Sequence, residues 1–241
     1  MWTWFHRLAS PPSFYRFAEA LAPWLGGIAL LLLAYGWIDG LTYFDTKQGA
    51  AFRIIYVHVP AAALSLSLYT AMAIAGAIAL IWRIKLAECV LVALAPVGAS
   101  FTFLALVTGM LWGKPMWGAY WVWDARLTSE LILLFLYFGV IGLQQAFDDP
   151  RAAARACALL ALVGVVNVVI VHYSVEWWNT LHQGSTVLKL GKPNITADLA
   201  RPLYASLCGS FLFAGFAVLR RAQNEVLERE ADTAWVKEVL A

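Results

Sequence analysis

Six apolar runs of about twenty residues leave this chain few ways to fold, because each is long enough to cross roughly 30 Å of hydrocarbon as a helix. They lie at approximately 22–38, 58–82, 88–110, 129–147, 156–176 and 203–220. With 62% of 241 residues hydrophobic and only 13% charged, the chain reads as an all-α, polytopic membrane protein with six transmembrane helices, a single integral membrane domain spanning residues 1–241. The formal charge of +2, carried by scattered basic residues, does not suggest a nucleic-acid partner. The first run follows a segment containing Arg7, Arg16 and Glu19 and no small-x-small site closes it cleanly, so it is read as a retained helix and not as a cleaved signal.

An even number of spans puts both termini on one side. Arg83 and Lys85, Arg151 and Arg155, the N-terminal Arg7 and Arg16, and the C-terminal Arg220 and Arg221 all fall on that side, which is therefore expected to be cytoplasmic. The three longer connections, about 39–57, 111–128 and 177–202, then face outward, where functional residues are to be sought. Trp2, Trp4, Phe5, Phe14, Tyr15 and Phe17 resemble an interfacial segment, and the tail from Arg221 to Ala241 reads as another surface-lying or partner-contacting piece. Gly26, Gly27, Gly76, Gly98, Gly139 and Gly142 sit inside spans, where small residues permit close helix approach. Cys89, Cys157 and Cys208 also fall inside spans, unpaired by any CxxC motif, and read as small buried residues.

The outward segment 112–128 concentrates Trp112, Trp117, Tyr120, Trp121 and Trp123, more aromatic surface than interfacial anchoring requires. It suits a large, flat, partly apolar partner. Gly113, Pro115 and Gly118 suggest a turn-rich first half, followed by an interfacial helix from Tyr120 to Thr128. If the segment after Pro115 is helical, Trp117, Trp121 and Asp124 share a face; if it is extended, Trp121 and Trp123 do.

Two of the chain's four histidines meet that segment at the same membrane face: His58, at the outer end of the second run, and His182, just beyond the fifth. Two imidazoles beside a wall of indoles offer what a haem requires, two axial nitrogens and flat apolar surface, whereas zinc would want three or four ligands. A lone histidine at a helix end more often caps or packs, and it is the shared depth of the pair that favours ligation. His172 lies deeper in the fifth run, where a hydrogen-bond network with Asn167 and Glu176 is the expectation, and His6 lies on the opposite side. Glu130 and Glu176, at the outer ends of spans, also need a partner or water. Asp124 is expected to pair with Arg126 or to accept backbone hydrogen bonds, while Arg126, Lys114, Arg53 and Arg201 are the candidate partners of haem propionates.

Trp112-Gly, Trp117-Gly and Trp121-Val-Trp-Asp-Ala-Arg-Leu-Thr128 resemble the tryptophan-rich WWD signature of haem-handling membrane proteins. Together with the six runs, Val57-His-Val-Pro60 and Val175-Glu-Trp-Trp-Asn-Thr-Leu-His-Gln-Gly184, they make the whole chain similar to the haem exporter C family of bacterial cytochrome c maturation. The resemblance implies an inner-membrane protein that holds haem b transiently at the periplasmic face through His58 and His182. Trp112, Trp117, Trp121, Trp123, Asp124 and Arg126 would form the cofactor-binding surface between them. It further implies delivery to a periplasmic haem chaperone, beside ABC-type ATPase and permease subunits and a small single-span helper, with membrane lipid as surroundings. The competing classes are a membrane oxidoreductase subunit that retains haem for electron transfer and a structural subunit whose aromatic loop only docks a partner.

Overall fold

A computed structural model describes residues 10–182 and 195–240. Six helices long and apolar enough to span a membrane are present, and among the described residues there is no sheet. In chain order they are α1 (Pro11–Thr42), α2 (Ile55–Trp82, preceded by a 3-10 turn at Ala50–Ile54), α3 (Lys85–Trp117), α4 (Ala125–Gln145), α5 (Pro150–Trp177) and α6 (Ala197–Arg229). A short α7 (Ala234–Leu240) follows. The helices extend well past the apolar runs, so the outward connections shrink to residues 43–49, 118–124 and 178–196. A polar turn at a helix end costs nothing in the aqueous interface, and the backbone simply continues its hydrogen bonding there.

At the centre α2 and α3 pack against each other; α5 lies against α2 and α4, and α6 against both central helices. Helix α1 is peripheral and lies along α6. The buried core between α2, α3, α4 and α5 is organised by two tyrosines, Tyr69 and Tyr137, whose rings meet edge-on with centroids 5.0 Å apart. Such an edge-to-face pair adds about 0.5–1.5 kcal/mol beyond its buried area. The Tyr137 hydroxyl donates to the Ser65 carbonyl at 2.8 Å, which satisfies the polar group in a site without water. Room for that ring comes from Gly98, where any Cβ would overlap it. Gly26, Gly76 and Gly139 likewise sit against neighbouring side chains, but Gly27 and Gly142 face open space. Of the three cysteines, Cys89 and Cys157 are buried as expected, whereas Cys208 is exposed on the outer surface of α6.

The inner end of the bundle is tied by ion pairs. Arg229 reaches Glu88 at 2.7 Å with both side chains largely buried, Lys85 pairs with Glu230, and Arg220 meets Glu19 at 2.8 Å. The Lys85 ammonium holds the Glu230 carboxyl below the usual carboxylate range. The C-terminal tail is a working part of this end, since α6 continues to Arg229 and α7 buries Val236 and sets Trp235 against Tyr15, with ring centroids 5.9 Å apart. Of the aromatic N-terminal residues, Phe14, Tyr15 and Phe17 belong to α1, while Trp2, Trp4, Phe5, His6 and Arg7 lie outside the described residues.

Candidate haem site

The turn-rich reading of 112–118 is corrected by the structure: α3 runs through Gly113 and Pro115 to Trp117. Proline's fixed φ suits a helix, and so near the end its missing N–H removes only one hydrogen bond. The stop comes at Gly118, in the left-handed region at φ 77°, whose N–H caps the Lys114 carbonyl at 3.0 Å. Residues 119–124 are non-helical, so the interfacial helix expected from Tyr120 is also absent. Helix α4 begins only at Ala125, because Asp124 is extended (φ −98°, ψ 169°) and its Oδ1 accepts the Leu127 N–H at 2.8 Å. An aspartate cap of this kind contributes about 1 kcal/mol. Of the two conformations weighed for the aromatic segment, the extended one holds. The rings of Trp121 and Trp123 meet at 5.3 Å, with Trp121 leaning on the core and Trp123 exposed.

His58 is the fourth residue of α2, and its ring faces α3. Nδ1 lies 3.1 Å from the Ala105 carbonyl and 3.0 Å from Thr108 Oγ1. The Thr108 hydroxyl spends its own proton on the Leu104 carbonyl at 2.6 Å, so both neighbours of Nδ1 are acceptors. Nδ1 must therefore carry the proton, and Nε2 is left with a lone pair. Trp112 stands edge-on to the imidazole at 5.7 Å. That indole is itself held by Nε1–H donation to Gln48 Oε1 at 3.0 Å and by an edge contact with Phe52 at 6.3 Å.

His182 reaches the same end of the bundle from the other side. Its Nδ1 lies 3.4 Å from Asp124 Oδ2, and Trp117 is edge-on to its ring at 4.7 Å. The two oxygens of Asp124 are thus divided, one capping α4 and the other steadying His182. Again the acceptor sits at Nδ1, and Nε2 keeps the lone pair. Burial pushes the His182 imidazole below its ordinary value of 6.5; the Asp124 carboxylate pulls the other way, and Arg126 adds to the lowering. Trp112 and Trp117, both near the outer end of α3, stand against His58 and His182 respectively, which brings the two histidines to the same end of that helix.

The four candidate propionate partners separate. Arg126, mostly buried, donates from one guanidinium nitrogen to the Val171 carbonyl at 3.1 Å. Lys114 donates to the Gly118 carbonyl at 3.0 Å and lies over the Tyr120 ring, Arg53 donates to the Tyr43 carbonyl at 2.8 Å, and Arg201 pairs with Asp198 one turn away at 2.6 Å. The expected network around His172 does not form: Asn167 donates instead to the Ser129 carbonyl at 2.9 Å, and His172 and Glu176 are exposed. The helical phase puts Asn167 toward α4 and His172 toward the outside. Glu130 is buried one turn below Arg126, with Oε1 lacking a hydrogen-bond partner. Thr108, the Ala105 carbonyl and Gln48 are supporting residues that the sequence did not single out. Thr108 alone carried a signal, as a hydroxyl near the outer end of an apolar run.

A profile of the family described as "Heme exporter protein C" matches residues 4–237. The chain belongs to this family. It is 50% identical over 242 residues to the heme exporter protein C of Escherichia coli (strain K12), covering 100% of this chain and 98% of that protein. The family member of Haemophilus influenzae is 47% identical over 239 residues, covering 98% of this chain and 97% of its own length. That of Bradyrhizobium diazoefficiens is 45% identical over 223 residues, covering 92% and 85%. Membership in the family makes the protein a multi-pass protein of the bacterial inner membrane.

Proposed function

We propose that this protein binds haem b at the periplasmic face of the inner membrane, between Nε2 of His58 and Nε2 of His182, and hands it to a periplasmic haem chaperone for c-type cytochrome biogenesis. The observation that carries this reading is the matched state of the two imidazoles. Each has an acceptor placed at Nδ1, a carbonyl for His58 and a carboxylate for His182, an arrangement that puts the proton on Nδ1 and keeps Nε2 for a metal. A haem iron bound there would gain two neutral axial donors. No third ligand set competes, since among the described residues no group of three His, Cys, Asp or Glu converges.

The rest of the site does what a transferable cargo needs. Trp112 and Trp117 wall the two imidazoles, Trp121 supports the loop, and exposed Trp123 offers the chaperone an aromatic contact beside the porphyrin edge. Arg126 presents a guanidinium to a propionate, having committed one nitrogen to Val171. Membership in an exporter family supports ABC-type ATPase and permease subunits and a single-span helper as partners, with the whole chain acting as one haem-handling domain.

The test is spectroscopic. Purified protein supplied with haemin should show the absorption and spin-resonance signature of a low-spin, bis-imidazole haem, and the double variant His58→Ala/His182→Ala should lose it. Persistence of that signature in the double variant would overturn the assignment.

A further inference from the structure

A cavity lies deeper along the bundle than the site, with exposed side chains in its lining. About 500 Å3 in volume, it opens between α2, α5 and α6, lined by Ala63, Leu66 and Ser67, by His172, and by Cys208 and Phe211. Its size suits a single small-molecule ligand, since such sites run to about 300–1,000 Å3. The wall from Ala63 to Ser67 lies five to nine residues beyond His58 on the same helix, roughly 8–14 Å deeper at 1.5 Å per residue. His172 is exposed at this cavity, and among the described residues its imidazole makes no hydrogen bond. An ionisable side chain at membrane depth ordinarily faces the bundle interior or pairs with a neighbour, and where it lines a cavity it marks a ligand's path.

A second feature leads away from it. The His172 ring touches Tyr173 with centroids 4.7 Å apart, Tyr173 stacks on Trp177 at 5.3 Å with an interplanar angle of 16°, and Trp177 meets Trp178 at 5.8 Å. Tyr173, Trp177 and Trp178 are all exposed, as a ladder along the outer end of α5 that stops four residues short of His182. Core aromatics would be covered; these are bare and continuous, one stacked pair between two edge-on contacts, and they lead from the His172 imidazole toward the loop that carries His182.

Resting on the haem-binding reading above, we infer that this cavity is the lateral access site through which haem reaches His58 and His182 from the outer leaflet, with His172 as its first, temporary ligand. The occupant is a metalloporphyrin because the cavity combines one unpartnered nitrogen donor with apolar walls and an aromatic face at Phe211, and because a ladder of π surfaces continues from it. The step is a ligand exchange. The bond from iron to the His172 imidazole nitrogen forms on arrival and breaks as Nε2 of His182 takes the coordination position it leaves, each nitrogen giving and then withdrawing its own lone pair, with no electron transferred.

The experiment uses the full chain in phospholipid nanodiscs, mixed with vesicles preloaded with haemin, and follows the growth of the low-spin signature by stopped-flow absorption. His172→Ala, and separately Leu66→Trp to fill the cavity, should slow loading by about tenfold or more while leaving the final spectrum that of the wild type, because a path contributes to rate and not to the end state. His172 is exposed, so the variant is expected to fold; an unchanged melting temperature checks this. Rates within twofold of wild type in both variants would overturn the inference while leaving the axial assignment standing. A final spectrum damaged in His172→Ala would also overturn it, making His172 a permanent ligand. Loss of a co-purifying single-span subunit from Leu66→Trp, with loading unchanged, would assign the cavity to a partner helix instead. Failure of the wild type to acquire the low-spin signature at all would remove the haem-binding reading and this inference together.

Discussion

His58 and His182 present the same nitrogen in the same tautomer, yet they are held by different means. His58 stands in the first turn of a packed helix, fixed against the Ala105 carbonyl and Thr108 of a neighbouring helix, in contacts of 3.1 and 3.0 Å. His182 stands on a connection beyond the end of α5, restrained by a longer contact of 3.4 Å to a single carboxylate. A backbone carbonyl inside a helix cannot move without unfolding a turn; a side-chain carboxylate at a helix cap can. On the proposed ligation, the pair therefore couples one rigid ligand with one adjustable ligand. A protein that retains haem for electron transfer has reason to fix both, whereas one that gives haem away has reason to leave one axial bond easier to release.

The sharpest way to break the comparison is to remove each ligand alone. His58→Ala should reduce haemin affinity by more than about 100-fold, since even the outer partner of a metal ligand is worth about 10–100-fold. His182→Ala should lose the low-spin spectrum but keep haem on His58 as a five-coordinate, high-spin species with a smaller loss of affinity. Titration of haemin into each variant, read by absorption and spin resonance, gives the order. The reverse order would show that the loop histidine is the anchor and would remove the asymmetry.

Next in size is Asp124→Asn, which keeps an acceptor for the α4 cap but removes the charge that steadies His182. Affinity should fall by about tenfold, with His58-only haem appearing as a minor high-spin component. The same variant should alter the protonation of His182. A protonated imidazole cannot ligate, so the low-spin form is lost as pH falls through the competing protonation of His182. Burial lowers that protonation below 6.5, and Asp124 opposes the lowering. In the haem-free protein, where no iron competes for the imidazole, the His182 protonation midpoint followed by NMR is thus expected below the ordinary histidine value in the wild type, and lower still in Asp124→Asn. A midpoint that rises in the variant would mean that Asp124 does not raise the proton affinity of His182.

Much of this was legible in the residues, for identifiable reasons. Six spans follow from run length alone, because lipid permits no other use for such segments. His58, His182 and the tryptophan-rich segment were brought together by topology, since alternate crossings put them at one membrane face. What the sequence could not show was anything decided by helix phase or by a cap. Pro115 and Gly113 look like turn residues, yet a helix already formed below them carries on to Gly118, and Asp124 delays α4 until Ala125. Asn167 and His172 are five residues apart, so they face different neighbours, and a network that looked plausible by proximity does not exist. Acceptors such as the Ala105 carbonyl have no signature in sequence, because every residue has one.

The smallest effect belongs to Thr108, and it bears most directly on why His58 would be the firmer ligand of the proposed pair. Thr108→Val preserves the shape of the side chain and the packing of α3 while deleting one of the two acceptors at His58 Nδ1. The Ala105 carbonyl remains, so the tautomer is still fixed and only one neutral hydrogen bond is lost, worth about 0.5–1.5 kcal/mol, or a few-fold in haemin affinity. The low-spin spectrum should be unchanged in form, and the His182 protonation midpoint should not move. If Thr108→Val instead costs as much as Asp124→Asn, the hydroxyl and not the helix backbone is what holds His58, and the two ligands are restrained alike, each by one side chain free to let go.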